Sequence, residues 1–208
     1  MTCPHCGLPF SQAPTECSSC GFSAEGLDAR LGAHTVEINR IVDTAHALRL
    51  RDTNRIEALV DEFERRFPQV FCTIFVGLLP SGISAAEGGF WLLNHGVRTC
   101  QEEVRENRFG IALIIDPSTH AASISLGYTI AAMLPEERIR ELLHRVSLPL
   151  WHGDYSRAIV AVVKGLDKLL RKHGRSRLRP SFLDRIKPLM LVGFKTRPIE
   201  TPVEEVKS

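Results

Sequence analysis

Two short runs near the start of the chain have the spacing of a metal site. Cys3-Pro4-His5-Cys6-Gly7 and Cys17-Ser18-Ser19-Cys20-Gly21 are matched CxxCG knuckles. In each, the glycine permits the tight turn that aims backbone amides at the sulfurs, and four thiolates suit a closed tetrahedral Zn²⁺ shell. So short a module buries no core unaided, so metal binding supplies its folding energy, on the order of 10 kcal/mol in small zinc peptides. A shell filled by cysteines leaves no open position for substrate, which makes the Zn²⁺ structural. His5, inside the first knuckle, is expected to be exposed.

Carboxylates offer the second kind of chemistry. A metal-dependent hydrolase needs several acids converging on a hard cation, with a nucleophile or an activated water in line. Asp43, Asp116 and Asp154 are the candidates, with His152 as a general acid. Each aspartate also has a structural role to play: Asp116 opens a hairpin turn, Asp154 caps a helix, and Asp43 caps or orients the segment around it. With no Gly-rich phosphate loop, DxD pair or nucleophile elbow, an interaction module ranks above an enzyme. If the chain is an enzyme, it is a hydrolase of the phosphatase type.

A third candidate lies after Gly174. Arg175, Arg177, Arg179, Arg185 and Lys187 stand near a single acid, Asp184, before the tail turns acidic at Glu200, Glu204 and Glu205. Such a cluster is suited to phosphate groups on RNA or a lipid surface, with Leu189 to Phe194 as its apolar partner. The competing reading is a solvated or docked tail.

The elements that position these residues follow from periodicity. Ile111 to Ile115 is apolar at every position and reads as a strand buried on both faces, with Asp116-Pro117-Ser118-Thr119 as hairpin chemistry. The return strand puts Ile124 and Leu126 on one face and Ser123 and Ser125 on the other. Val70 to Val76 is a second central strand, with Cys72 as a core thiol. Asp52-Thr53-Asn54 predicts a helix entry capped by Asn54, with Ile56, Leu59, Val60, Phe63 and Phe67 as its buried stripe. Ser84 to Glu87 has capping-box form and Gly96 closes that helix, with His95 at its end. Pro135 starts another, which Leu148-Pro149-Leu150 ends. Asp154 then caps a long last helix that Gly174 stops.

Length and composition bound the answer. With 208 residues, 44% hydrophobic, the chain can bury one good core and carry a small appended module. The formal charge of +2 falls to about zero once four thiolates hold one zinc ion, so overall charge names no nucleic-acid or membrane partner. A protein partner is favoured over nucleic acid, and peripheral membrane contact is assigned to the tail. The start carries no signal peptide, no run is long enough for a spanning helix, and paired cysteines fit a reducing, cytoplasmic setting. The expected division is a zinc ribbon over residues 1–22, a semi-flexible linker over 23–35, an α/β domain over 36–174 and a tail over 175–208.

Three stretches carry a resemblance. Val42-Asp43-Thr44-Ala45 with Leu48, Asn107 to Ile115 leading into Gly127-Tyr128, and Pro149 to Tyr155 together make residues 36–173 resemble the TPM-domain family. The resemblance implies an α/β sandwich, helices on both faces of a small mixed β-sheet, behind a separate zinc ribbon. It implies two kinds of function, acid phosphatase and non-catalytic assembly or repair factor, and for some members a divalent cation such as Ca²⁺ in the α/β domain. The family's acid after Gly-Tyr is missing here, where Thr129-Ile130-Ala131-Ala132 stands.

Overall fold

The computed structural model describes residues 3–8, 16–97, 99–100, 103–104 and 107–177, with the backbone alone at 99–100, 103–104 and 175–177. The order is α1 (Ala24–Leu31), β1 (Val36–Glu37), β2 (Ile41–Asp43), α2 (Leu50–Arg66), β3 (Phe71–Val76), α3 (Ala85–His95), β4 (Gly96–Val97), β5 (Thr99–Cys100), β6 (Glu103–Val104), β7 (Gly110–Asp116), β8 (Ala121–Leu126), α4 (Tyr128–Met133), α5 (Glu136–Trp151) and α6 (Tyr155–Arg177). β1 pairs with β4 and β5 with β6 in two small sheets.

The main sheet has the order β2-β3-β7-β8, with the first three strands parallel and β8 antiparallel to β7. Every residue of β7 is buried, as the unbroken apolar run requires of a strand covered on both sides. Cys72, Ile74, Ile111, Leu113 and Ile124 face α2, α5 and α6. Phe71, Ala112 and Ile114 face α3 across a smaller cluster. β2, β3 and β7 advance across the sheet in one direction, yet α2 covers one face and α3 the other. The two parallel connections are therefore of opposite hand, and one departs from the right-handed preference.

Most expected helices are present with shifted ends. α2 begins at Leu50, not after Asn54, because the Arg49 carbonyl already accepts the Asp52 and Thr53 amides at 2.8 and 2.9 Å. The series beginning at Val36 supplies two short strands, which two- and three-residue pairings leave without a readable period. α5 runs through Pro149 to Trp151, since a proline in the last turn forfeits one amide without blocking the carbonyls that His152 and Asp154 use. α6 passes through Gly174 to Arg177.

The segment 23–35, expected as a semi-flexible linker, holds α1 and is tied down. Ser23 caps α1, Leu27 is buried, and Asp28 meets His95 at 2.7 Å. Arg30 donates to the Ser81 carbonyl, and the Trp91 indole donates to the Gly32 carbonyl at 2.8 Å. Few large apolar groups were visible in 23–35 because α3 provides them: Phe90 meets Phe22 edge-on at 5.7 Å and Trp91 stacks on His95. Among the described residues no helix is long and apolar enough to cross a membrane.

Candidate metal centre and the carboxylates

The two knuckles fold as copies of one turn. The Gly7 amide donates to the Cys3 carbonyl at 2.9 Å and the Gly21 amide to the Cys17 carbonyl at 2.8 Å. Both glycines are left-handed, at φ 73° and 72°, a conformation that a side chain would strain. Cys3 and Cys17, the first thiol of each knuckle, are buried, while Cys6 and Cys20 lie at the surface.

All four sulfurs lie within 4.8 Å of one another. Cys3 Sγ is 3.7 Å from Cys20 Sγ, and Cys6 Sγ is 3.8 Å from Cys17 Sγ. Metal–sulfur bonds of about 2.3 Å in a tetrahedron give sulfur–sulfur edges of about 3.8 Å. The four thiols therefore have the dimensions of a tetrahedral metal shell, a geometry compatible with a zinc ribbon. Without metal, the amides of Ser19 and Cys20 hold the Cys17 thiol down at about 7. Desolvation, with the neighbouring thiols, pushes Cys20 up to about 12. An ion taken up here displaces the protons of the thiols.

His5 is half-exposed, as expected of a knuckle residue, but it is not idle. Its Nδ1 lies 2.9 Å from Glu87 Oε1, on the first turn of α3. Glu87 already closes the capping box, accepting from the Ser84 amide at 2.7 Å. Burial pushes the Glu87 carboxyl up, but the Ser84 amide, the His5 ring and the Ser84 hydroxyl together outweigh it and hold it below the usual range. The ribbon is thus joined to α3 through the residue that starts that helix. The only sequence signal for this was a histidine inside a knuckle whose four ligands were already cysteines.

Between the ribbon and the sheet runs a groove of about 770 Å³. Cys3 and His5 of the ribbon line it together with Phe90 of α3, Ser125 of β8, Tyr128 of α4 and Arg140 of α5.

Each of the three candidate aspartates accepts backbone amides close to it in sequence. Asp43, at the end of β2, accepts the amides of Ala47 and Leu48 at 3.1 and 2.8 Å. Asp116, at the end of β7, accepts the Ser118 amide and hydroxyl at 2.9 and 2.7 Å. Asp154 accepts the Arg157 amide at 3.1 Å and so caps α6. Asp43 shares its register with Val76 and Ile115, whereas Asp116 lies one residue further along and so points to the opposite face of the sheet. His152 follows α5, exposed. Among the described residues, the four cysteines are the one group of three or more His, Cys, Asp or Glu that could hold an ion. Of the five cations singled out after Gly174, Arg175 and Arg177 close the backbone of α6, and Arg179, Arg185 and Lys187 lie outside the described residues.

A model of the TPM domain, the TPM phosphatase family, matches residues 41–169, more than half of the chain. The chain belongs to the TPM-domain family. Its TPM domain thus contains Asp43, Asp116 and Asp154, while the cysteine cluster and α1 precede it. The fold is shared with the solution NMR structure of the N-terminal domain of a protein from P. gingivalis, at 14% identity and a TM-score of 0.50, covering 64% of this chain and 82% of that one. It is shared also with the NMR structure of BA42 protein from the psychrophilic bacterium Bizionia argentinensis, at 10% identity and a TM-score of 0.50, covering 61% and 83%. The N-terminal domain of cg2496 protein from Corynebacterium glutamicum matches at 12% identity and a TM-score of 0.48, covering 62% and 78%. No curated protein is matched.

The TPM domain gives Asp116 a measurable signature. Burial pushes its carboxyl up, but the Ser118 hydroxyl and amide, the Thr119 hydroxyl and the Leu79 amide together hold it below the ordinary 3.8. A depressed folded-state value stabilises the protein above the unfolded value, and that contribution is lost as pH falls through the folded one. The melting temperature should therefore drop as pH is lowered from about 4, and the drop should be shallower in Asp116→Asn, whose amide oxygen still accepts from Ser118 but cannot titrate. Parallel acid limbs in the two proteins would exclude this role.

Proposed function

We propose that this TPM-domain protein is a non-catalytic interaction or assembly factor, in which a ribbon holding structural Zn²⁺ and the α/β domain act as one rigid surface for a protein partner. The observation that carries the reading is the use of the acids: Asp43, Asp116 and Asp154 each accept backbone amides at a turn or helix start. Four thiolates that fill a tetrahedral shell leave no position for substrate, and they favour Zn²⁺ over hard cations. The groove between ribbon and sheet gives the partner a site to which both modules contribute. Free thiols at metal spacing fit a reducing compartment such as the cytoplasm.

The alternative is a weak metal-dependent phosphatase using Asp43, Asp116 and Asp154, the first two standing where parallel strands of α/β sheets end and ligands often bind. Crosslinked affinity isolation of the full chain from its own cell should recover a partner that is lost from Cys3→Ser/Cys6→Ser, while p-nitrophenyl phosphate is not turned over with Zn²⁺, Mg²⁺ or Ca²⁺. Metal-dependent hydrolysis that vanishes in folded Asp43→Asn or Asp154→Asn would replace this reading with the alternative.

A further inference from the structure

At the end of the sheet where β2, β3 and β7 finish, the starts of α2 and α6 enclose an open cleft of about 790 Å³. Arg49, Arg51 and Arg55 line it from the α2 side and Arg157 and Lys164 from α6, with only Asp52 and Asp154 as carboxylates among the lining. Elsewhere arginines meet acids: Arg40 meets Asp61 and Glu64, Arg66 meets Glu62 and Asp167, Arg140 meets Glu136, and Arg171 meets Asp167. Among the described residues, none of the five cleft cations has an ion-pair partner. Nor do Arg49, Arg51 and Arg157 serve their own helices, since the first turn of a helix disfavours positive charge.

The same end exposes apolar bulk. Leu50, between Arg49 and Arg51, is 78% exposed, and Trp151, beside the cleft residue His152, is 67% exposed. Leu148, one turn before, is 65% exposed, and Leu78, on the loop leaving β3, is 66% exposed. Trp151 rests against His120 in the turn between β7 and β8, with ring centroids 4.7 Å apart. These four are most of the six large apolar side chains exposed among the described residues, and all four lie on segments at the end of the sheet where β2, β3 and β7 finish.

We propose that this end is a docking face for an anionic lipid bilayer, the cations pairing with headgroup phosphates while Leu50, Leu78, Leu148 and Trp151 enter the interfacial layer. A small anion or acidic peptide would account for the arginines but not for the leucines and the indole. An apolar protein surface would account for the leucines and leave five charges unanswered.

The test is co-sedimentation of the full metal-loaded chain with vesicles of equimolar phosphatidylserine and phosphatidylcholine, and with phosphatidylcholine alone. Binding is expected to the first, weakening as salt is raised, and to be much weaker with the second. Arg49→Ala/Arg157→Ala/Lys164→Ala should lower the affinity on the order of a hundredfold, at about fivefold for each cation removed from near the surface. All three side chains are exposed, so an unchanged melting temperature will certify the fold of the variant. Trp151 separates this face from the tail: its emission should shift to the blue and be quenched by bromine-labelled acyl chains, and that change should vanish in Trp151→Phe, which leaves Trp91 as the only indole. The proposal is overturned by equal binding to both vesicles or to neither, by wild-type affinity in the triple variant, or by unmoved Trp151 emission in the bound protein. Retention of a phosphopeptide in the cleft with vesicles ignored would overturn it as well.

Discussion

Cys3→Ser or Cys17→Ser should leave the purified protein without its stoichiometric metal and release the ribbon, while the four-stranded sheet keeps its secondary structure. The ribbon contributes the buried sulfurs of Cys3 and Cys17, Phe22 against Phe90 and His5 against Glu87, but little apolar core of its own. Its order therefore rests on bonds to the ion, worth on the order of 10 kcal/mol in comparable zinc peptides. Amide exchange at 3–8 and 16–23 should rise to near that of an unfolded chain, and chelation of the wild type should reproduce the change. Unaltered protection in the metal-free variant would mean that docking on α3 alone maintains the knuckles. Ser84 and Glu87 should remain capped, since their two mutual hydrogen bonds do not involve the ribbon.

Glu64→Ala should destabilise the TPM domain by about 3–5 kcal/mol. Glu64 is 2% exposed on the inner side of α2. One carboxylate oxygen accepts the Cys72 amide at 3.0 Å, at the start of β3, and the other accepts from Arg40 Nε at 3.1 Å. Alanine would strand a buried amide and deprive a partly covered guanidinium of one of its two acids, leaving Asp61 at 2.9 Å. Urea denaturation should show a lower midpoint with an unchanged slope. A loss below about 1 kcal/mol, the range of exposed substitutions, would show that water replaces the carboxylate.

The parts of this molecule that were legible in the sequence are those governed by one period or one motif. The run from Ile111 to Ile115, the Ser84–Glu87 box and the paired knuckles each carry their own signal, and each is found as expected. What escaped depends on contacts distant in sequence. Glu64 sits four residues after Val60, on the buried stripe of α2, but its partners come from β3 and from Arg40, so nothing in its local sequence singles it out. Asp28, within the expected linker, and His95, 67 residues later at a helix end, likewise carry no local sign of their pairing. The cations at the start of α2 gave no sign of the cleft either, because with the helix expected to begin at Asn54, Arg49 and Arg51 stood outside it.

β8 ends the sheet: it pairs with β7 on one side, and no described strand pairs with it on the other. Ser123 to Leu126 line the same groove as Cys3 and His5. A bare strand edge of this length is a template on which another extended chain can crystallise its own hydrogen bonds. Release of the ribbon would take one set of lining residues away from that edge, so the metal-free protein is expected to self-associate below its melting temperature, which light scattering would detect.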